Sequence, residues 1–146
     1  MNESHESLQV VRLVWEYWDE PRSGVADYNS MPHWFECLFD EDRDEYSHVY
    51  WLTPLDDSLF ELLKERNSIF LRWRDAFGRG EVDRSTHPAL PSEAERSREL
   101  ESEIRQGIAS RANQRFKVRG RFQLLTGATF SGELSDFGVE WALIAQ

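Results

Sequence analysis

One stretch, residues 10–39, constrains the fold more than any other part of this 146-residue chain. It contains three of the six tryptophans and the single cysteine, and its apolar residues alternate with polar ones as in β-strands. Proline and glycine predict a turn over Glu20–Gly24, and Asn29-Ser30 predicts a two-residue hairpin tip. The predicted strands are 9–19, 25–28 and 33–39.

Two helices are predicted in the middle of the chain. Leucine and aromatic residues at helical spacing predict a first helix that is capped at Asp56 or Asp57 and ends at Gly78. The pattern Ser92–Glu95 is typical of a capping box and predicts a second helix that runs to about Asn113. The remaining predicted strands are Tyr46–Thr53, Arg115–Leu125, Gly138–Ile144 and, as a candidate, Ala128–Phe130.

The order of these elements indicates the fold class. Consecutive strands joined by short turns pair antiparallel. We therefore predict an α+β fold: an antiparallel sheet of about six strands, with two helices inserted between strands 4 and 5 and packed on one face. The length predicts one domain over residues 1–146, with residues 1–8 flexible.

Charge and cysteine content restrict the partners and the compartment. The net charge is −10, and residues 1–61 carry 15 acids against three arginines. Such a surface disfavours nucleic acid and anionic lipid and favours a basic protein partner, although a merely solvated surface also explains it. A single cysteine excludes an internal disulfide, and no secretory leader or apolar spanning segment is recognisable. We expect a cytoplasmic protein without a membrane segment.

The best candidate for a catalytic or ligand site lies on the first hairpins. If the chain folds back at the predicted tip, Asp27 lies opposite Pro32 and beside His33, where a carboxylate and an imidazole could act as an acid–base pair. The alternative is a polar hairpin in which a backbone carbonyl satisfies His33. The candidate residues are Asp19, Asp27, Tyr28, His33 and Glu36.

A basic strand is the second candidate. Its four cations, at every second residue, form a line about 20 Å long that could bind a phosphate backbone or another anion. The alternative is a solvated strand face whose charges are neutralised by acids on a neighbouring strand. Without exposed aromatic residues between the cations, nucleic acid is the less favoured ligand. The four residues are Arg115, Lys117, Arg119 and Arg121.

No cofactor or metal site is predicted. The acidic run at 40–45 matches the first positions of a calcium loop but has Glu45 where glycine is needed, so a charged hairpin loop is the preferred interpretation. His33 and Cys37 are about 13 Å apart on a strand and do not share a zinc ion. Phosphate-loop, dinucleotide-binding, hydrolase-elbow and zinc-protease motifs are absent from the sequence.

Several short motifs resemble those of a group of small uncharacterised bacterial proteins. The resemblance covers most of the chain and implies a bacterial origin and a shared fold, with no activity attached. One position differs, because Ser30 stands at the hairpin tip where the group has glycine. The motifs are Tyr17-Trp18-Asp19, Pro21, Gly24–Tyr28, Pro32-His33 and Phe35, Phe39-Asp40, and Leu52–Pro54.

Two functional hypotheses follow. The first is a noncatalytic protein-binding module, of which one specific form is an immunity-type inhibitor whose acidic face covers the basic groove of a toxin nuclease. The second is a small enzyme or ligand-binding domain with a cleft around Asp27, His33 and Glu36. An acidic surface with aromatic anchors favours the first, and a deep pocket that contains His33 and a carboxylate favours the second.

Overall fold

The computed structural model describes residues 8–125 and 137–144. The chain divides into two compact units: residues 56–110 form one, and the segments on either side of them form the other. The candidate strand Ala128–Phe130 and the flexible segment predicted at the N-terminus lie outside the described residues, apart from Leu8. A single domain over the whole chain, and the packing of helices on the sheet, stay predictions.

The first unit is a six-stranded antiparallel barrel. Each strand pairs with the next in the chain, and the last strand pairs with the first, so that the sheet closes on itself. The antiparallel sheet with two helices inserted between strands 4 and 5 is confirmed, but the sheet is a closed barrel. Closure depends on pairing between distant ends of the chain, which local alternation does not encode. The strands are β1 (Leu8–Trp18), β2 (Glu20–Tyr28), β3 (Met31–Asp40), β4 (Glu45–Pro54), β5 (Phe116–Leu124) and β6 (Phe137–Leu143).

The first two hairpins turn within one and two residues. Asp19, with φ of 67°, alone connects Trp18 to Glu20, which are partners in the sheet. The predicted turn over Glu20–Gly24 is therefore wrong, because these residues belong to β2 and pair with β1. The predicted tip at Asn29-Ser30 is confirmed, with φ of 53° and 64°, the conformation of a type I′ turn.

Irregular pairing in β1 changes which of its side chains face the barrel interior. The register between β1 and β2 shifts after Val11, and Val14 packs against the core, whereas Tyr17 is exposed. The side chains of β1 that pack against the barrel core are therefore Val11 and Val14, so strict alternation along this strand is interrupted between them. Gly24 allows this close pairing, since a Cβ at that position would lie 2.2 Å from the carbonyl oxygen of Leu13.

Large rings fill the barrel interior. The Trp141 ring lies 5.5 Å from those of Tyr50 and Phe122, and 6.0 Å from that of Phe35. Gly120 provides the space for Trp141, because a Cβ there would lie 2.5 Å from the indole. The buried members of this cluster are Val11, Ala26, Phe35, Tyr50, Leu52, Val118, Phe137, Val139 and Trp141.

The second unit contains α1 (Asp57–Gly78) and α2 (Ala94–Ala109), which contact each other. The Asp56 carboxylate caps α1 as predicted, accepting a hydrogen bond from the Leu59 amide at 2.8 Å. The predicted capping box before α2 is wrong, because Ser92 lies in a short 3-10 turn over Pro91–Glu93. Among the helices of residues 8–125, none is long and apolar enough to cross a membrane.

Candidate functional site

Asp27 lies on the outer face of the barrel and is engaged in an ion pair. Arg12 donates two hydrogen bonds to it, from Nε to Oδ1 at 3.1 Å and from Nη2 to Oδ2 at 2.7 Å. The Asp27 side chain is almost fully buried, whereas that of Arg12 is half exposed. This bidentate pair satisfies the Asp27 carboxylate and joins β1 to β2.

His33 lies on the opposite, inner face of the sheet. It pairs with Ala26, a core residue, and its ring contacts those of Tyr28 and Phe116 at 5.5 and 5.9 Å. Its Nδ1 lies 2.8 Å from the carbonyl oxygen of Met31. Burial lowers the pKa of His33, because the charged imidazolium loses its hydration there.

The predicted candidates therefore do not converge on one space. Asp27 pairs with Pro32, four residues along β3 from Glu36, which corresponds to about 13 Å. Glu36 is exposed and accepts a hydrogen bond from Trp34 Nε1 at 3.2 Å. Asp19 forms the tip of the first hairpin, and the Tyr28 ring packs against the barrel core.

The four cations of the basic strand have three different environments. Arg115 and Lys117 lie over the Trp51 ring, at 3.9 and 5.1 Å from its centre. Arg121 binds Glu140 of β6 at 2.8 Å. Arg119 is exposed and, within the described part of the chain, has no ion pair, although it lines a shallow groove of about 320 Å³ beside Trp141.

Sequence reasoning overlooked a polar cluster inside the barrel, centred on Arg22. Arg22 Nε donates to the carbonyl oxygen of Trp18 at 2.8 Å, and its guanidinium lies 4.5 Å from the centre of the Tyr46 ring. Arg22 Nη1 also lies 3.7 Å from Cys37 Sγ. A local motif does not reveal this cluster, because its partners are a ring, a thiol and a backbone carbonyl.

The thiol and phenol near Arg22 are neutral groups. Burial raises the pKa of Cys37, and the protonated thiol donates to the carbonyl oxygen of Ser47 at 3.2 Å. Burial likewise raises the pKa of Tyr50, whose hydroxyl donates to the carbonyl oxygen of Pro21 at 3.1 Å. This environment favours a structural thiol rather than a nucleophile.

The β1–β2 and β3–β4 hairpins end at the same end of the barrel, since neighbouring strands are antiparallel. We call the exposed residues of these two hairpin ends the tip surface. Trp18 is 68% exposed and Phe39 46% exposed, and both are surrounded in sequence by acids. The tip surface comprises Tyr17, Trp18, Asp19, Phe39, Glu41, Asp42, Arg43, Asp44 and Glu45.

The acidic loop of the tip surface is organised by its own hydrogen bonds. Asp40 Oδ1 accepts from the amides of Asp42 and Arg43, at 3.1 and 3.2 Å. Asp44 adopts φ of 56°, which completes the reversal of the chain. Within residues 8–125 and 137–144, no group of three potential ligands is placed to hold a metal ion.

Comparisons with known proteins returned nothing: no family model, curated protein or solved structure matches this chain.

Proposed function

We propose that the barrel unit is a noncatalytic module that binds a basic protein partner through the tip surface. The observation that carries the proposal is the exposure of two aromatic side chains, Trp18 and Phe39, among acids. Exposed tryptophan and other large rings are over-represented among the residues that dominate binding at protein interfaces. An isolated solvent-facing loop does not need them.

The charge of the tip surface supports a basic partner. Five exposed acids, Asp19, Glu41, Asp42, Asp44 and Glu45, lie on the two hairpin ends, against one exposed arginine, Arg43. Opposite charge accelerates association and selects among partners, while the aromatic anchors supply most of the affinity. This division of roles fits an acidic rim around apolar contacts.

The tip surface is also held in place from inside the barrel. Arg22 binds the backbone of Trp18 and stacks on Tyr46, whose ring contacts that of Phe39 at 5.1 Å. The two anchors are therefore connected through the side chains of Arg22 and Tyr46. A surface that is ordered before binding loses less conformational entropy on association.

One specific form of the proposal is an immunity-type inhibitor. A toxin nuclease binds its substrate in a basic groove, which an acidic surface with aromatic anchors could cover. The single cysteine, and the resemblance to a group of bacterial proteins, lead us to propose a bacterial cytoplasmic protein. The alternative cleft around Asp27, His33 and Glu36 receives less support, because these side chains lie on two faces of the sheet.

The test begins with affinity purification of the full chain and identification of copurified proteins by mass spectrometry. Each candidate partner is then purified and titrated against the chain by calorimetry at several salt concentrations. We expect a basic partner whose affinity falls as salt rises, and a loss of at least about tenfold in the Trp18→Ala/Phe39→Ala variant.

Met31→Ala is the matched control. Met31 is 60% exposed but lies at the β2–β3 hairpin, at the other end of the barrel. Met31→Ala should therefore leave the affinity for the basic partner unchanged. Equal losses in Met31→Ala and in the double variant, or the absence of any basic partner at low salt, would overturn the proposal.

A further inference from the structure

We infer that the helical unit contains a binding site for a small organic molecule that carries a phosphate group. A cavity of about 550 Å³ lies between residues 85–91 and one face of α2. This volume is within the range of small-molecule sites. The site lies within residues 56–110 and shares no residue with the tip surface.

One wall of this cavity presents two cations, a hydroxyl and the carboxylate of Glu101. Arg98, Ser102 and Arg105 are four and three residues apart on α2, so they lie on the same helix face. Both arginines are exposed. Arg98 has no ion pair within the described residues, and Arg105 Nε lies 3.7 Å from Glu101 Oε1, longer than a normal hydrogen bond.

The opposite wall is fixed by its own contacts. Thr86 Oγ1 accepts from Trp73 Nε1 at 2.7 Å and donates to the carbonyl oxygen of Asp83 at 2.8 Å. The His87 ring packs edge-on against Trp73, with ring centres 4.8 Å apart. The Asp83 carboxylate also accepts from the Ser85 amide at 3.0 Å. The cavity therefore has one wall whose shape is set before a ligand enters.

The donors favour a phosphate group over a neutral ligand. Guanidinium groups match phosphate oxygens in charge and geometry. The Ser102 hydroxyl accepts from Gln106 Nε2 at 3.4 Å and keeps its own proton to donate to a ligand, whereas the Ser85 hydroxyl donates to Asp83. The cavity is larger than a phosphate ion alone requires. Its apolar lining, Pro88, Ala89, Pro91 and Ala94, could contact the organic part, and Glu101 could accept a hydrogen bond from a ligand hydroxyl.

The inference can be tested by NMR titration of the full ¹⁵N-labelled chain. Three probes separate the sources of binding: glycerol 3-phosphate, glycerol and inorganic phosphate. We expect saturable shifts at the amides of residues 85–105 with glycerol 3-phosphate, weaker binding of inorganic phosphate, and no binding of glycerol. Absence of saturation up to roughly 10 mM glycerol 3-phosphate would overturn the inference.

Two double variants test the role of the arginines. Arg98→Gln/Arg105→Gln should weaken binding of glycerol 3-phosphate by about tenfold or more, because two charged donors are lost. Lys64→Gln/Arg79→Gln removes the same charge from exposed positions of the helical unit that do not line the cavity, and should leave the affinity unchanged. Equal weakening by both would show nonspecific charge attraction. If inorganic phosphate bound as tightly as glycerol 3-phosphate, the organic part of the ligand would make no contribution to binding. Either result contradicts the inference.

Discussion

Arg22 donates a hydrogen bond from Nε to the carbonyl oxygen of Trp18, at 2.8 Å, from a side chain that is buried in the barrel. Its guanidinium also covers the ring of Tyr46 on β4. In the part of the chain that the structure describes, no carboxylate lies within salt-bridge distance of Arg22. The buried guanidinium of Arg22 thus connects the ends of two hairpins, through the Trp18 carbonyl and the Tyr46 ring.

Arg22→Met should destabilise the barrel. It retains the apolar stem but leaves the Trp18 carbonyl without this donor, which costs about 1–3 kcal/mol of unfolding free energy. Urea denaturation followed by tryptophan fluorescence measures this loss. Arg119→Met, at an exposed position of β5, is the control and should change stability by less than about 0.5 kcal/mol.

A further prediction concerns the effect of Arg22 on the order of the tip surface, where we propose that the partner binds. If Arg22 orders the tip surface, hydrogen exchange of the Trp18 and Tyr46 amides should accelerate in Arg22→Met more than exchange in the Asn29-Ser30 hairpin. Uniform acceleration across the barrel would instead indicate global destabilisation. The matched comparison is with Gly120→Ala, whose site lies on β5, outside both hairpins.

The ion pair between Arg12 and Asp27 should matter more than that between Arg121 and Glu140. Asp27 is 4% exposed, so Arg12→Met leaves a carboxylate in a poorly hydrated position. We expect Arg12→Met to lower the free energy of unfolding by about 2–3 kcal/mol. This is less than the loss on breaking a fully buried pair, because Arg12 is half exposed. Arg121→Met breaks an exposed pair and should cost less than about 1 kcal/mol. Chemical denaturation at neutral pH gives both values, and equal losses would contradict the prediction.

Gly120→Ala tests the fit of Trp141 in the barrel. The added methyl would lie 2.5 Å from the indole and 3.0 Å from the Tyr50 ring, so one of these rings must move. Such overpacking costs about 1–3 kcal/mol. Gly78→Ala, where the added methyl meets no atom within 4 Å, should be neutral or stabilising by up to about 1 kcal/mol. Thermal unfolding of the two variants measures these changes in stability.

The sequence predicted the elements whose signals are local. Strand β5 alternates apolar or small residues with polar ones over its length, and the Asn29-Ser30 tip needs only residues that tolerate positive φ. The position of Asp56 before the leucine-rich helix likewise indicated the cap of α1. In each case the determining residues are neighbours in the chain.

Other features depend on contacts between distant residues. Barrel closure needs Leu8–Val10 to pair with Gly138–Glu140, and the altered face of β1 arises where Gly24 approaches Leu13. The predicted site suffered from the same limitation. The local pattern placed Asp27 beside His33, but Asp27 lies opposite Pro32, and adjacent residues of a strand such as Pro32 and His33 point to opposite faces. Arg12, the partner of Asp27, is 15 residues away in the chain.

His33 should make the stability of the barrel depend on pH. Burial holds its pKa below the ordinary value of 6.5, so the unfolded chain binds a proton at a higher pH than the folded barrel does. The stabilising contribution of neutral His33 is therefore fully present above about pH 6.5 and is lost as the pH falls below that value. Urea denaturation at pH 7.5 and pH 5.5 measures the difference in unfolding free energy.

Two variants separate this contribution from that of other titrating groups. His33→Gln removes the imidazole and should reduce the loss of stability between pH 7.5 and pH 5.5, whatever its effect at neutral pH. His48→Gln, at an exposed position of β4, should retain the loss seen in the unmodified chain. If His33→Gln showed the same loss as His48→Gln, the proton uptake would have to come from other groups. The interior position of His33 would then have no bearing on stability at mildly acidic pH.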